Sequence, residues 1–231
     1  MIKENITQIK ELISLVCSRI DKDPEAITIV AISKGRAIDQ IGQVLESGII
    51  NIGENRVQEA IVKYNELQAL NSRFPTIKWH MVGNLQTNKV KEAVRIFDLI
   101  HSVDSLRLAK EIDKYAGRMN KTQDILVEVN TSGEASKSGL KPDEAISVIK
   151  EIARLENLNI KGLMTIAPIV ENPEKARPYF RCLKELNDEI NNLQPAICRL
   201  QVLSMGMTDD YLVAIQEGSN MVRLGRVIFE G

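Results

Sequence analysis

Eight short apolar runs, the first seven each trailed by a helical pattern, set the tightest limit on what this chain can fold into. The runs span 27–34, 49–52, 77–82, 97–101, 125–130, 160–166, 200–204 and 221–224. The first, Ile27 to Lys34, is rich in β-branched residues and reads as a strand buried on both faces. Helical patterns follow at 38–48, 57–70, 87–94, 105–116, 142–154, 174–193 and 211–217. Pro142 and Gly48 stand where a helix favours them, inside its start and just past its end. Strict strand–helix alternation implies a parallel sheet. Eight units point to a (β/α)₈ barrel over an open sheet. No G-x-G-x-x-G follows a strand, and Gly133 to Ser138 resembles a phosphate loop in composition only. One further helix comes first, with Ile2, Ile6, Ile9, Ile13, Val16 and Ile20 on one face and a break at Asp23-Pro24.

The 231 residues suit one barrel-sized domain over 1–231, and 44% hydrophobic residues can fill its core. A net charge of −1 with neither sign clustered argues against nucleic acid or an anionic membrane as the main partner. No apolar run is long enough to span a bilayer, and the charged opening helix is no signal peptide. Cys17, Cys182 and Cys198 are widely separated and odd in number, which points to a reducing, cytoplasmic setting.

In such a barrel the active site lies at the carboxyl ends of the strands. The polar residues expected there are Lys34, Asn55, His80, His101, Asn130, Ser204 and Arg223. A lysine leaving a buried strand is expected to meet apolar walls, and desolvation disfavours the ammonium and frees the amine as a nucleophile. The alternative is a lysine that snorkels to solvent. Ser204, Gly206 and Thr208 after the seventh strand, and Gly225 after the eighth, suit a phosphate; ordinary capping and turn roles are the alternative. An amine nucleophile and a phosphate site in one barrel mouth suggest pyridoxal 5′-phosphate (PLP). Arg223 would face the ring nitrogen and hold it unprotonated, or it is an interior cation paired with Glu54 or Glu128. His80 could touch the cofactor, or be a satisfied core histidine.

The chain resembles the pyridoxal phosphate homeostasis protein family, whose fold is shared with the N-terminal barrel of alanine racemase. The matching blocks are Ala31 to Lys34, Gly53 to Glu59, Trp79 to Lys89, His101 to Ser105, Val127 to Leu140, Gly162 to Thr165, Leu203 to Asp210 and Gly218 to Arg226. The resemblance implies a PLP Schiff base on Lys34. It implies a cofactor-contacting set of Lys34, Asn55, His80, Ser204, Met205, Arg223, Gly225 and Arg226. Arg223 takes the place of the racemase arginine at the ring nitrogen, with Leu224 where the racemase has proline.

Alanine racemase carries a second domain that supplies a catalytic tyrosine across a dimer. Here the sequence stops at Gly231, and Tyr64, Tyr115, Tyr179 and Tyr211 all fall in expected helices. Racemisation needs a proton-transfer group on each face of the reacting carbon. The resemblance therefore implies a monomeric carrier of PLP with little or no turnover, delivering the cofactor to PLP-dependent apoenzymes. Lys137 in the fifth strand's loop would assist transfer or bind a second PLP, or is a solvent lysine. A weak amino-acid racemase is the main alternative. A Schiff-base aldolase would carry its lysine on a later strand, and an interaction module would need an exposed apolar stripe.

Overall fold

A computed structural model of the chain describes residues 1–69, 77–193 and 199–230. All eight expected strands form: β1 Thr28–Ile32, β2 Asn51–Glu54, β3 Lys78–Met81, β4 Leu99–Val103, β5 Gln123–Glu128, β6 Leu158–Met164, β7 Val202–Ser204 and β8 Met221–Leu224. They pair in sequence order, and β8 pairs in parallel with β1 to close the barrel. The helices are α1 Ile2–Arg19, α2 Ile38–Glu46, α3 Val57–Ala69, α4 Val90–Ile96, α5 Leu106–Arg118, α6 Pro142–Ile152, α7 Arg177–Leu193, α8 Tyr211–Gln216 and α9 Arg226–Phe229. Local chemistry sets several starts. The Ser105 hydroxyl accepts the Leu108 N–H at α5, and proline opens α6.

Two apolar clusters divide the interior. Val30, Leu99, Leu126, Met164 and Met221 pack inside the barrel, with Ile32 and Val202 against them. A larger cluster lies between strands and helices and contains Ala31, Ile52, Trp79, Ile100 and Val222. Alternation along β1 sends Val30 inward and Ala31 outward, so the strand is buried on both faces as its composition implies. Gly53 gives Ile32 its room, because a Cβ there would lie 2.7 Å from Ile32 Cδ1. The helix after β8 is one short turn, and α1 compensates. It packs against α2, α8 and α9, and the Asn5 amide donates to the Ile228 carbonyl at 3.0 Å. The opening helix thus takes the place of a full outer helix at the β8–β1 seam.

Some boundaries move. β1 ends at Ile32, two residues before Lys34, because the chain turns through Gly35 with φ of +68°. β4 runs two residues later than expected, since buried Phe97 ends α4 and Asp98 accepts the Trp79 N–H. The patterns at 87–94 and 174–193 each split into a 3₁₀ turn followed by a helix. The expected end of α3 at Leu70, and Cys198, lie outside the described residues. Among those described, Cys17 and Cys182 are free thiols, and no helix is long and apolar enough to cross a membrane.

Candidate functional site

The register of β1 and β8 places the first candidate residues together. Ala31 pairs with Leu224, so the chain past Ile32 and the chain past Leu224 leave the barrel side by side. Lys34 lies in the first of these segments and Gly225 and Arg226 in the second. Arg36 joins the two. It forms an ion pair with Glu230 and lies 5.1 Å over the Phe229 ring. Lys34 itself is exposed, and no side chain among the described residues pairs with its ammonium. The desolvation expected of it is corrected here: the residue stands in a turn beyond the walls of the strand.

Both neighbours of Lys34 are fixed from behind. The Ser33 hydroxyl donates to Glu54 Oε1 at 2.5 Å, and Lys63 Nζ donates to the same oxygen at 2.6 Å. Lys63 also donates to the Ser33 carbonyl and to Glu59. Glu59 in turn accepts the Gly35 N–H at 2.5 Å. Glu54 therefore faces the helical layer, which rules it out as a partner of Arg223. Burial pushes its carboxyl up, opposed by Lys63 and Ser33. A buried carboxylate–ammonium network of this kind stabilises position only while every partner remains.

Inside the barrel a second polar chain runs from β8 to β2. Arg223 is fully enclosed and donates to the Ser204 carbonyl at 2.7 Å, the Ser204 hydroxyl at 2.8 Å and the Thr165 carbonyl at 2.8 Å. Ser204 Oγ lies 3.0 Å from His101 Nδ1, His101 Nε2 lies 2.9 Å from His80 Nδ1, and His80 Nε2 lies 3.0 Å from Asn51 Oδ1. A guanidinium only donates, which leaves the Ser204 proton for His101. His101 then donates from Nε2 to His80, and His80 donates from Nε2 to Asn51. One direction of donation satisfies every member. Burial lowers the His80 pKa to about 4 and that of His101 well below its usual value, so both rings are neutral near pH 7. Burial lowers Arg223 to about 10, opposed by Glu128 and Asp210, and it stays cationic.

This chain relocates two expected contacts. His80 sits in the interior with both nitrogens engaged, and it borders a cavity at the amino ends of the strands beside Asn51, Lys78 and Gln201. The expectation that it stands at the mouth is corrected. It is a satisfied core histidine, held by side chains. The Ser204 hydroxyl is likewise buried between His101 and Arg223. Met205 is buried, and its N–H and carbonyl are already bonded to Met221 and Ser219.

At the mouth proper, Asn55 Oδ1 is buried without a hydrogen-bond partner among the described residues. Glu128 ends β5 inside the rim, and Lys137 lies in the loop that follows. That loop is shaped by Asn130, whose amide donates to the carbonyls of Glu134 and Lys137 and whose Oδ1 accepts the Gly133 N–H. Sequence reasoning missed the Glu54–Lys63–Glu59 clamp. Its signal was the spacing of Glu59 and Lys63, four apart on one helix and just after Glu54.

Comparison with known proteins decides the family. A model of the alanine racemase N-terminal domain matches residues 2–231. A pyridoxal phosphate homeostasis protein from Aquifex aeolicus is 40% identical over 226 residues, 98% of this chain and 96% of that protein. One from Escherichia coli is 33% identical over 228 residues, 99% of this chain and 95% of that protein. The chain belongs to the pyridoxal phosphate homeostasis protein family. Among solved structures, PipY of Synechococcus elongatus with PLP bound superposes with a TM-score of 0.84 at 31% identity, covering 99% of this chain and 100% of PipY. Alanine racemase from Clostridium difficile shares the fold at 17% identity and a TM-score of 0.75; this chain covers 58% of it.

The mouth of this chain suits the cofactor named in its family. Lys34, Asn55 and Arg223 stand at or just past the carboxyl ends of β1, β2 and β8, and among the described residues the Lys34 ammonium and Asn55 Oδ1 have no partner. Gly225 is half-buried with no side chain, and opens the short α9, whose first N–H groups lack partners within the helix.

Proposed function

We propose that this chain binds PLP at the barrel mouth through a Schiff-base link to Lys34, holds it, and hands it on, with little or no turnover. One observation carries the reading: Lys34 leaves the barrel beside Gly225, unpaired, with both of its neighbours clamped. When bound, PLP supplies an aldehyde for the amine and an electron-withdrawing ring. The chain's own groups do the rest. The Gly225 and Arg226 segment meets the phosphate, with the Met205 backbone and the Ser204 hydroxyl behind it. Asn55 accepts a hydrogen bond at the rim. Arg223, aimed by Ser204, faces the ring nitrogen and keeps it unprotonated, because a guanidinium holds its proton. His80 acts from the interior by fixing His101. Lys137 is a further lysine on this rim and assists transfer.

Weak turnover follows from what faces the site. All four tyrosines lie in helices. Tyr64 packs against Trp79 with ring centroids 5.9 Å apart, and burial raises Tyr211, so neither is a ready proton carrier. The protein is proposed to act as a cytoplasmic monomer that supplies PLP-dependent apoenzymes. The test is visible absorbance of the purified chain with added PLP, in wild type and Lys34→Ala. Uptake by wild type and none by the variant supports the reading. Equal uptake by both overturns it. Proton exchange of alanine at enzyme-like rates in heavy water would restore the racemase reading.

A further inference from the structure

The mouth contains one acid, Glu128, that has no part in the PLP binding proposed above. Glu128 is only 6% exposed, yet no hydrogen bond or ion pair reaches its carboxyl among the described residues. The other buried acids differ. Glu54 has Ser33 and Lys63, and Asp210 accepts the Met207 N–H. Its oxygens reach the open cavity beside it, where a donor from outside the protein can meet them. Burial and nearby Asp104 push Glu128 up to about 7, and Arg223 pulls the other way. Glu128 lines a cavity of about 180 Å³. Its other walls include Lys137, the apolar Ile166, and Asn84 and Ser138, where the Asn84 amide donates to the Ser138 hydroxyl at 3.1 Å. Lys137 is held loosely, 3.3 Å from Glu134 and 3.5 Å from the Ile166 carbonyl.

A ligand that completes this cavity needs a cationic donor at one end and an anion at the other. Water occupies about 30 Å³ per molecule, so the space holds a ligand of roughly six heavy atoms. We propose that this cavity is a subsite for a small α-amino acid, its ammonium on Glu128 and its carboxylate on Lys137, with Asn84 and Ser138 beside it. Glycine and alanine fit the volume. Asp104 adds negative potential on the ammonium side, and Ile166 receives a short side chain.

The use of the subsite rests on the proposed PLP link at Lys34. An amine that takes the cofactor arrives as an ammonium and must lose one proton before it attacks. Glu128 as carboxylate would accept that proton. The displaced Lys34 amine would regain it, together with the other two hydrogens of the incoming nitrogen, so charge would balance and no electrons would be exchanged. A carrier would thereby release its cargo in response to amino-acid supply.

The test is calorimetric titration of the full chain with glycine, acetate and ethylamine, in wild type, Glu128→Gln and Lys137→Met. Glycine should bind wild type, with acetate and ethylamine each about tenfold weaker or more. Each substitution should weaken glycine by about tenfold or more. Glycine binding that survives Glu128→Gln unchanged, or acetate binding as well as glycine, overturns the proposal. PLP uptake is read separately by absorbance. Uptake without glycine binding removes the subsite and leaves the cofactor reading standing, and glycine binding without uptake does the reverse.

Discussion

Arg223 on β8 crosses to β7 and donates from one guanidinium nitrogen to both oxygens of Ser204, at 2.7 and 2.8 Å. That double contact turns a long, flexible cation into a fixed group. It also ties the carboxyl end of β8 to the histidine pair below, since the same hydroxyl meets His101.

Ser204→Ala tests this tie. It leaves a guanidinium N–H and the His101 Nδ1 without a partner, in a site closed to water. Denaturation should show a loss of about 1–3 kcal/mol. Bound PLP should also show an altered visible spectrum, because the cation is no longer aimed. An unchanged spectrum would detach Ser204 from the ring.

Two buried groups titrate in opposite senses. His80 binds its proton less readily folded, at about 4, than unfolded, at roughly 6.5, so stability falls as pH drops through that window. Glu128 binds its proton more readily folded, at about 7, than unfolded, at roughly 4.3, so it adds stability over a similar window. Glu128→Gln removes a group that gains stability as pH falls, so between pH 7 and pH 4.5 its stability should fall by roughly 2–3 kcal/mol more than that of wild type. Denaturation at the two pH values checks this.

Lys63→Met strips the shared donor from Glu54 and Glu59. Glu54 is fully buried, so the expected cost is about 3–5 kcal/mol. Hydrogen exchange at the Gly35 amide should quicken, since its acceptor Glu59 loses its anchor.

Much of this was legible in the residue pattern, and the exceptions share a cause. The barrel could be read because each strand is short, apolar and followed by a helix, and β8 falls where its composition places it. Strand ends were harder. β1 stops at Ile32 because the chain turns through Gly35, and that turn is braced by Ser33 on Glu54, a contact across 21 positions that no local pattern reveals. His80 was expected at a strand end, but the start of β4 at Leu99 sets His101 beside it in the interior. Parity along β5 was the available clue to Glu128, which shares its inward face with Leu126.

Gly83→Ala probes the rim around Asn55. A Cβ at Gly83 would lie 2.4 Å from the Asn55 carbonyl oxygen, so the tops of β2 and β3 must part. A stability loss of about 1–3 kcal/mol is expected, with weaker PLP uptake as the Asn55 amide shifts. Equilibrium titration with PLP measures the second effect.

Borohydride reduction of the PLP-loaded chain, followed by peptide mass mapping, tests the central claim most directly. The account predicts a single pyridoxyl group, on Lys34. A pyridoxyl group on Lys137 alone, or spread over surface lysines with Lys34 unmodified, would contradict it.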